Sequence, residues 1–413
     1  MTPASTLSQC KVCQSDGLRL GLDLGTLPLA NSFLSAQRAK SPVPEPMYPL
    51  RVAFCNNCGL IQLLDVVDKE EMFDEYAFLT ATASTSLSHF EEYAREMIRR
   101  FGMTSTDLVV DIGSNDGTLL KSFKRHGLNV LGVEPAHNLA RQSISEGIPT
   151  INEYFGPTTV AQIGQHNARL ISANNVVSHV SDLNGFMKSV ADSLGPNGLF
   201  TFEVPWVVDV FRHYNFDIVY HEHLSYFGFK PLSVLLEKHG LELIDIEYFP
   251  QIHGGSLRGI VAHAQAFPKQ SDDILRTFRE EEKGADFNAL QRFATRVHDI
   301  RTKLVAMLQD LKAEGHRIVG YGAPAKATIL LNYCRIDRSI LDFVSDNTPL
   351  KQGKFIPGVR IPIVNPEEFH KEYPDYALLL AWNFKDEILQ KEKSYLKSGG
   401  KFIIPFPEPQ MIS

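Results

Sequence analysis

Short apolar runs alternate with amphipathic, helix-like stretches through the middle of the chain. Four of the runs have the length of strands and lie at residues 108–113, 129–134, 169–174 and 198–204. A helix-like stretch at 87–101 precedes them, and two more apolar runs, 241–249 and 256–262, follow. Alternation of this kind is typical of a parallel sheet with crossover helices. The pattern therefore predicts an α/β domain in the centre of the chain.

The alternation restarts nearer the C-terminus. A long polar, helix-prone segment at 271–314 is followed by a helix-like stretch at 327–333 and by four strand-like runs. The runs lie at 317–320, 340–344, 376–381 and 401–405. They predict a second α/β unit.

The N-terminal region has a different pattern. Two short strand-like runs, 51–54 and 60–64, stand out, and four prolines fall between residues 42 and 49. Proline-rich chain favours extended or looped backbone. Because 413 residues exceed one ordinary domain, we expect three regions: a module at 1–75, a central domain at 76–265, and a linker with a C-terminal domain at 266–413.

Composition and charge narrow the classes of protein. Of the residues 44% are hydrophobic and 22% charged, and the formal net charge is -7. A nucleic-acid surface usually requires a concentrated basic patch, which this balance does not favour. No long uncharged apolar span is present, and the N-terminal sequence lacks the regions of a secretory signal. We therefore expect a cytoplasmic protein with neither a nucleic-acid nor a membrane partner.

Four of the five cysteines form two close pairs. Cys10-Lys-Val-Cys13 and Cys55-Asn-Asn-Cys58 have the C-x-x-C spacing with which two thiolates grip one tetrahedral ion. A redox dithiol is the alternative for either pair alone, but two pairs in a reducing compartment favour Zn²⁺. Four thiolates leave no open coordination position, so we expect a structural zinc. Cys334, in an apolar helical stretch, is expected to be a buried bystander.

A glycine-containing turn follows the first central strand. Residues 108–117 read Leu-Val-Val-Asp-Ile-Gly-Ser-Asn-Asp-Gly, and the next strand ends at Glu134. Gly113 and Gly117 let a small ligand approach bare backbone, and Glu134 is positioned to accept hydrogen bonds from both hydroxyls of a ribose. The turn is not G-x-G-x-x-G and no Lys-Ser/Thr pair follows, so a phosphate cradle is not indicated. A nucleoside without phosphates fits better, and S-adenosylmethionine is the common one.

The densest set of titratable groups is Tyr220-His-Glu-His223, with Tyr226 close behind. It follows the strand at 198–204, so we expect it at the ligand-binding edge of the sheet. Successive residues of His-Glu-His point to different faces of a regular element, which disfavours a metal site. A histidine acting as general base, with Tyr220 and Glu222 orienting or polarising the substrate, suits an imidazole pKa near neutrality. A structural hydrogen-bonded cluster is the alternative.

Polar residues also follow the strand at 169–174. Asn174 and Asn175 are placed to bond either the adenine edge of a cofactor or an acceptor. His179 lies where donor and acceptor sites meet in such sheets, and direct contact and a packing role are equally expected for it.

Two further loops have the composition of anion sites. In His253-Gly-Gly-Ser256-Leu-Arg258 the glycines free backbone N–H groups and Arg258 supplies charge, although an ordinary hairpin turn fits as well. The second loop is Tyr321-Gly-Ala-Pro-Ala-Lys326, which leads from a strand into a helix. The N-terminus of that helix and Lys326 could together bind a diphosphate.

Together, these segments resemble the S-adenosylmethionine-dependent C-methyltransferases that act on nucleotide-activated keto sugars in deoxysugar biosynthesis. The resemblance covers nearly the whole chain and rests on the order and spacing of six motifs. The motifs are the paired C-x-x-C knuckles, Asp111–Gly117, Asn175–His179, Tyr220–His223, His253–Ser256 and Gly320–Lys326. It implies a class I methyltransferase Rossmann-like sheet, closed by an antiparallel strand pair. An N-terminal zinc-binding module would precede that sheet, and a C-terminal Rossmann-like domain that helps hold the nucleotide sugar would follow it.

The resemblance also implies roles for residues. Tyr220, Glu222 and His223 match the transfer-site set of the family, His179 matches a histidine after the fourth strand, and Tyr76 matches an early active-site tyrosine. The residues expected at the cofactor are Asp111, Gly113, Asn115, Gly117, Glu134 and Asn174. The residues expected at the substrate are Asn175, His253, Ser256, Arg258, Tyr321 and Lys326. A monomer is the oligomeric state that the resemblance suggests.

The chemistry of methyl transfer to a sugar carbon follows from the functional groups that it requires. A sugar carbon is a poor nucleophile unless a neighbouring ketone acidifies its C–H bond, so a base must remove that proton while donors stabilise the enolate oxygen. We expect His223 to be the base, with Tyr220 and Glu222 positioning the sugar or stabilising the enolate. His179 is the second choice, and no metal is required for this step.

Three other functions are weighed against this one. An O- or N-methyltransferase of a small metabolite needs only a heteroatom to be deprotonated or oriented. A non-enzymatic zinc-ribbon protein that binds nucleic acid is disfavoured by the net charge of -7. An oxidoreductase with a dinucleotide on the C-terminal loop is disfavoured because no acidic residue stands at the expected ribose position behind a full G-x-G-x-x-G.

Overall fold

The computed structural model describes residues 4–73, 84–164, 167–250, 255–268, 276, 278–280 and 282–413. Two residues singled out above, Tyr76 and His253, lie outside these ranges. The described chain forms three regions, each built around a β-sheet of at least four strands.

The N-terminal region is a module around a small antiparallel sheet. Its strands are β2 (Leu18–Leu27), β3 (Tyr48–Cys55), β4 (Ile61–Leu63) and β11 (Ser225–Tyr226), in the order β11-β4-β3-β2. A separate pair joins β1 (Ser5–Thr6) to β5 (Asp65–Val66), and the helices are α1 (Ala36–Ala39) and α2 (Lys69–Phe73). Since β11 comes from the segment after the Tyr220–His223 cluster, this sheet ties that segment to the N-terminal module.

Strand β2 was not identified from the sequence. Its alternating leucines bury one face, with Leu22, Leu24 and Leu27 in the core. Such alternation indicates a half-buried strand, but the four prolines that follow favoured an interpretation of the whole segment as extended or looped chain. The prediction for this segment was therefore incomplete.

The central sheet has seven strands. They are β6 (Leu108–Ile112), β7 (Asn129–Val133), β8 (Thr150–Ile151), β9 (Ala168–Asn174), β10 (Leu194–Pro205), β12 (Leu241–Phe249) and β13 (Ser256–His263). Their order is β12-β13-β10-β9-β6-β7-β8, and β13 runs antiparallel to both of its neighbours while the other pairs are parallel. The predicted class I methyltransferase sheet is confirmed, including its antiparallel closure.

Helices cover both faces of this sheet. They are α3 (Ser84–Phe101), α4 (Thr118–Arg125), α5 (His137–Ser145), α6 (Pro157–Ile163), α7 (Leu183–Ser193), α8 (Val207–His213) and α9 (Phe229–Glu237). Val109 and Val110 on β6 are both fully buried, and they belong to different apolar clusters. Strands that are buried on both faces have continuous apolar sequences, and for this reason β6 could be predicted from the sequence.

The C-terminal region is a six-stranded sheet. Its strands are β14 (Ile318–Tyr321), β15 (Val344–Ser345), β16 (Ile363–Val364), β17 (Tyr376–Leu379), β18 (Lys401–Ile404) and β19 (Gln410–Ile412). The order is β16-β15-β14-β17-β18-β19, parallel except for β19. The helices are α10 (Phe287–Ala313), α11 (Ala325–Cys334), α12 (Pro366–Lys371), α13 (Lys385–Lys391) and α14 (Lys393–Lys397). No helix in the described ranges has both the length and the apolar character needed to cross a membrane.

The strand predicted at 340–344 was largely wrong. Only Val344 lies in β15, because the N–H groups of Ile340 and Leu341 donate to the carbonyl of Asp337 in a turn. Ile340 and Leu341 are nevertheless buried, so their apolar character reflects packing rather than strand pairing.

The three regions share apolar cores. One cluster joins Leu22 of the N-terminal module to Phe216 and to Ile329 of α11. Another joins Cys58 to Ile112 of the central sheet. The regions are therefore packed together rather than strung on a flexible linker.

Candidate active site

The four paired cysteines converge at one point of the N-terminal module. The Sγ atoms of Cys10 and Cys58 are 3.5 Å apart, those of Cys13 and Cys55 are 3.6 Å apart, and all four lie within 4.8 Å of one another. Zinc–sulfur bonds of about 2.3 Å in a tetrahedron separate the sulfurs by about 3.8 Å. The set therefore fits one structural zinc ion, as the spacing predicted.

The loop after β6 requires its glycines. Gly113 and Gly117 have φ angles of 65° and 74°, in the left-handed region that favours glycine. A Cβ on Gly113 would lie 2.6 Å from Val176 Cγ2, and one on Gly117 would lie 2.7 Å from Ser143 Oγ. The loop therefore packs closely against the chain that follows β9. We call β6, α4 and β7 the cofactor unit.

Glu134 stands just beyond β7 and holds this loop. Its Oε2 accepts a hydrogen bond from the Asn115 N–H at 2.8 Å, and its Oε1 accepts one from the Ala136 N–H at 2.8 Å. Burial raises the pKa of this carboxyl, and the two backbone donors oppose that rise. Because each carboxylate oxygen has a second lone pair, Glu134 keeps acceptor capacity for two hydroxyls.

Asn174, the last residue of β9, has a buried side-chain amide whose oxygen and nitrogen find no partner among the described residues. An orphaned buried amide is costly unless a ligand or water pairs with it. This observation, with Glu134 and the tight glycine loop, fits S-adenosylmethionine at the carboxyl edge of β6, β7 and β9.

Asp111 was predicted to be a cofactor residue but faces the sheet interior. Its Oδ1 accepts a hydrogen bond from Ser172 Oγ at 2.6 Å, across the β6–β9 pair. Burial raises the pKa of Asp111 to about 7, and the Ser172 bond opposes the rise. The structure thus gives Asp111 a contact between strands, behind the glycine loop.

His223 lies against two of the other predicted transfer-site residues. Its ring centroid is 4.0 Å from that of Tyr220 and 5.0 Å from that of His179. Its Nδ1 is 2.8 Å from the carbonyl oxygen of Ile218. A carbonyl can only accept, so Nδ1 carries the proton and, in the neutral ring, Nε2 carries the lone pair. The structure therefore brings His223, Tyr220 and His179 together although His179 and Tyr220 are 41 positions apart in the sequence.

Burial sets the charge states around this cluster. It lowers the pKa of His179 to about 4, an effect that the nearby Lys11 ammonium reinforces. It raises the pKa of the Tyr220 hydroxyl well above its usual value, as does the charge of Glu222. At neutral pH, His179 is consequently uncharged and Tyr220 keeps its proton.

His221 points away from the cluster. Its Nε2 is 3.2 Å from the carbonyl oxygen of Tyr48 in the N-terminal module, and burial lowers its pKa to about 4. His221 and His223 thus face different partners, which agrees with the prediction that His-Glu-His is not a metal site.

Two residues of the N-terminal module reach this region. Asn31 Nδ2 donates to Glu222 Oε1 at 2.7 Å, and Lys11 Nζ donates to the carbonyl of Val180 at 2.6 Å, next to His179. Sequence reasoning missed both. Asn31 lies 191 positions from Glu222, and no local motif marks it.

Arg258 was predicted to contact an anion, but its charge is already paired. Its Nε donates to Glu203 Oε1 at 2.9 Å and its Nη1 donates to Glu247 Oε2 at 2.9 Å. Burial of Arg258 and Glu203 makes this pair part of the fold, so the charge of Arg258 is compensated within the protein. Ser256 is fully buried opposite Pro205 in the β10–β13 pair, and Asn175 adopts a φ of 57° just after β9.

The loop after β14 is more enclosed than predicted. The Tyr321 hydroxyl donates to Glu392 Oε1 at 2.6 Å, and Lys326 Nζ donates to Asn383 Oδ1 at 2.6 Å. Burial lowers the pKa of Lys326 to about 8, while the Asp217 carboxylate opposes the fall. We call β14, α11 and β15 the C-terminal unit.

An acidic residue that the sequence analysis did not identify stands at the end of the second strand of the C-terminal unit. Asp346 follows β15, its Oδ2 accepts from the Ala323 N–H at 2.6 Å, and its Oδ1 accepts from the Thr348 N–H at 2.8 Å. It was missed because β15 was predicted to end at residue 344. The loop ahead of it still lacks the full G-x-G-x-x-G.

Comparison with known proteins finds three family matches and a relative that spans nearly the whole chain. Successive parts of the chain match the families described as "Putative zinc binding domain" (residues 10–73), "Methyltransferase domain" (86–246) and "C-methyltransferase C-terminal domain" (251–407). The chain is 35% identical to the C-methyltransferase NovU of Streptomyces niveus over 411 residues, which is 98% of this chain and 97% of that protein.

Other similarities are partial. The ubiquinone biosynthesis O-methyltransferase of Bradyrhizobium diazoefficiens is 34% identical over 93 residues, 22% of this chain and 37% of that protein. An S-adenosylmethionine-dependent methyltransferase structure from Clostridium acetobutylicum aligns with 10% identity and a TM-score of 0.35, covering 45% of this chain and 94% of that one.

Proposed function

The chain belongs to the zinc-binding, S-adenosylmethionine-dependent C-methyltransferases, and on that premise we propose that it methylates a nucleotide-activated keto-deoxysugar at the carbon next to the ketone. The observation that carries the proposal is the contact of His223 with Tyr220 and His179, in chain that follows β9 and β10. A carbon nucleophile needs a base and an oxyanion donor together. This cluster offers both kinds of group.

The cofactor would be held by the cofactor unit. Glu134 accepts the ribose hydroxyls, Asn174 pairs with the adenine edge, and the left-handed turn at Gly113 shapes the loop beside them. Bound there, S-adenosylmethionine supplies an electrophilic methyl group.

His223 serves as the base. The Ile218 carbonyl keeps the proton on Nδ1, so Nε2 can take the proton from the carbon next to the ketone. The electron pair of that C–H bond moves into an enolate, whose carbon accepts the methyl group. His179, with a pKa lowered to about 4, has too little proton affinity for this task. We therefore assign His179 to packing against His223.

Tyr220 and Glu222 position the sugar. Because the pKa of Tyr220 is raised by burial, its hydroxyl keeps its proton and donates to the enolate oxygen. Asn31 donates a hydrogen bond to Glu222 Oε1 and so fixes the orientation of the carboxylate. In that orientation Glu222 can accept a hydrogen bond from a sugar hydroxyl.

The nucleotide part would bind at the C-terminal unit. Asp346 there holds its loop through two backbone N–H groups, as Glu134 does in the cofactor unit. Lys326, on the first turn of α11, and Tyr321, at the end of β14, flank the same loop and would face the diphosphate. We further expect the enzyme to act as a cytoplasmic monomer.

Solvent deuterium exchange tests this proposal. Nucleotide keto sugars incubated in D₂O with the enzyme and S-adenosylhomocysteine should exchange the hydrogen on the acidified carbon, and with S-adenosylmethionine they should gain a new C–C bond. His223→Gln should lose exchange and transfer together, whereas the control His213→Gln, on the exposed side of α8, should keep both. A product methylated on oxygen or nitrogen, without exchange, would refute the proposal.

A further inference from the structure

The turn that precedes the transfer-site cluster is enclosed by the C-terminal region. This 3-10 turn, Phe216–Ile218, packs against α11, and Phe216 is fully buried. The Phe216 ring lies 5.2 Å from the ring of Tyr333 and 5.3 Å from that of Phe406. The backbone of the turn therefore takes its position from residues more than a hundred positions further along the chain.

Asp217 makes the polar part of this attachment. It is completely buried, and its Oδ2 accepts a hydrogen bond from the indole Nε1 of Trp382 at 2.6 Å. Its Oδ1 has no hydrogen-bond partner among the described residues. The Lys326 ammonium lies 3.7 Å above the Trp382 ring and is itself bonded to Asn383. Trp382 is thus a side-chain donor to this buried carboxylate, which the charge of the Lys326 ammonium also stabilises.

The residue next to Asp217 holds His223. The Ile218 carbonyl accepts from His223 Nδ1 at 2.8 Å. Asp217 and Ile218 belong to one short 3-10 turn, which is closed by the Ile218 N–H on the Asn215 carbonyl and by the Val219 N–H on the Phe216 carbonyl. A displacement of Asp217 therefore displaces the Ile218 carbonyl as well. Trp382, Asp217, Ile218 and His223 form one continuous chain of contacts from the C-terminal region to the histidine.

We propose that Trp382 is a positioning residue for methyl transfer: its bond to Asp217 fixes the turn that keeps the Ile218 carbonyl on His223 Nδ1. The tautomer of His223 then depends on a donor in the C-terminal region. The inference rests on the proposed function only where it takes His223 as the base. Trp382 acts through Asp217 and need not touch the substrate.

The tautomer can be read without any substrate. Nitrogen-15 NMR of histidine-labelled protein separates a protonated from an unprotonated ring nitrogen, and His223→Gln assigns the signal. In the wild type Nδ1 should carry the proton. Trp382→Phe, which removes the donor, and Asp217→Leu, which removes the acceptor, should each give a mixture of tautomers. Asp217→Asn keeps an acceptor and should keep the wild-type tautomer.

A matched control lies in the same turn as Trp382. Phe384 ends the turn Trp382–Phe384 and is 40% exposed, so Phe384→Leu should leave the His223 signal unchanged. Binding of S-adenosylhomocysteine, measured by calorimetry for every variant, shows that the cofactor unit is intact. If both Trp382→Phe and Asp217→Leu bind this ligand and keep a single tautomer, the inference is wrong.

Kinetics supply the second readout. Trp382→Phe should lower kcat about tenfold with little change in KM, as expected when a reacting group is displaced by a fraction of an ångström. The acidic limb of its kcat–pH profile should also move, since the protonation equilibrium of His223 has changed. A rise in KM alone would mean that Trp382 binds substrate, which would overturn the inference. If the wild type methylates no keto sugar, the proposed function fails while the NMR result still decides the inference.

Discussion

The cofactor unit and the C-terminal unit share one backbone design. In each, a strand leads through a glycine-containing loop into a helix, and the next parallel strand ends at an acidic residue. Glu134 and Asp346 both bond the N–H of the preceding loop, at Asn115 and Ala323 respectively, and the N–H two residues further on. Both units therefore place a carboxylate at the position that accepts ribose hydroxyls in dinucleotide folds.

The difference lies in the groups beside that carboxylate. Beside the cofactor unit, at the end of β9, the buried Asn174 amide has no partner among the described residues, and both lysines of α4 are bonded, Lys121 to Glu146 and Lys124 to the Gly147 carbonyl. In the C-terminal unit, two lysines have lowered pKa values because they are buried: Lys326, and Lys351, which donates to the Ala323 carbonyl at 2.9 Å. A neutral amide suits an adenine edge, whereas buried cations suit a diphosphate. Side chains, not backbone, distinguish the two units.

Loss of zinc should have the largest effect, because it removes the support of the transfer-site cluster that both units serve. Replacing Cys55 and Cys58 with serine should abolish zinc binding, whose free energy in small sites is on the order of 10 kcal/mol, and with it methyl transfer. Lys11 and Asn31 would lose their positions beside Val180 and Glu222.

Atomic absorption measures the effect on zinc directly. It should find one zinc per wild-type chain and none in the double variant. Cys334→Ala, which removes the buried cysteine of α11, should keep its zinc. Full activity in a zinc-free double variant would show that the module is dispensable.

Glu134 and Asp346 can be tested by a matched pair of substitutions. Glu134→Gln should weaken S-adenosylhomocysteine binding by roughly 10- to 100-fold, the equivalent of one charged hydrogen bond of about 1.5–3 kcal/mol, and leave nucleoside diphosphate binding intact. Asp346→Asn should do the reverse. Calorimetry with both ligands on both variants gives the four values. Equal losses for both ligands would mean that the two units are not separate sites.

Asn31→Ala tests a residue that belongs to neither unit. Glu222 would lose its 2.7 Å hydrogen bond, and we expect kcat to fall about tenfold while both ligands bind as before. Ser32→Ala, the exposed neighbour, is the control. Steady-state assays distinguish this outcome from weakened binding, which would place Asn31 at a ligand.

The smallest expected effect is on the pH dependence of nucleotide binding. The pKa of Lys326 is lowered to about 8, so the ammonium that attracts a diphosphate is present below pH 8 and is lost as the pH rises through it. Affinity for a nucleoside diphosphate should fall by up to about tenfold between pH 7 and 9. Lys326→Arg keeps its charge over this range and should flatten the curve. An unchanged slope in that variant would remove Lys326 from the nucleotide site.

The fold was predictable where periodicity is strong. The runs at 108–113 and 169–174 are buried on both faces and became β6 and β9. Strands β2 and β11 were missed. The prolines that follow β2 led to a prediction of looped chain for the whole segment, and β11 is only two residues long. Short pairings depend on tertiary contacts that no local pattern records.

The placing of His179 and His223 at one edge of the sheet followed from the sequence, because carboxyl ends of neighbouring parallel strands share one edge of the sheet. The contacts of Asn31 and Trp382 did not. Each spans more than 160 positions and joins different regions of the molecule. For Arg258, a local pattern indicated a site that tertiary contacts do not favour. A positive charge near a glycine turn suggested an anion site, but Glu203 on the neighbouring strand pairs with that charge.

The most direct test of the two-unit account is a pair of titrations on wild type and Gly113→Arg. Calorimetry would use S-adenosylhomocysteine, and separately UDP, GDP and dTDP. An arginine at position 113 would be strained at a φ of 65°, and its Cβ would collide with Val176 Cγ2 at a distance of 2.6 Å. The account predicts that the variant loses S-adenosylhomocysteine and keeps whichever nucleotide the wild type binds. A variant that still binds S-adenosylhomocysteine, or a wild type that binds none, would contradict it.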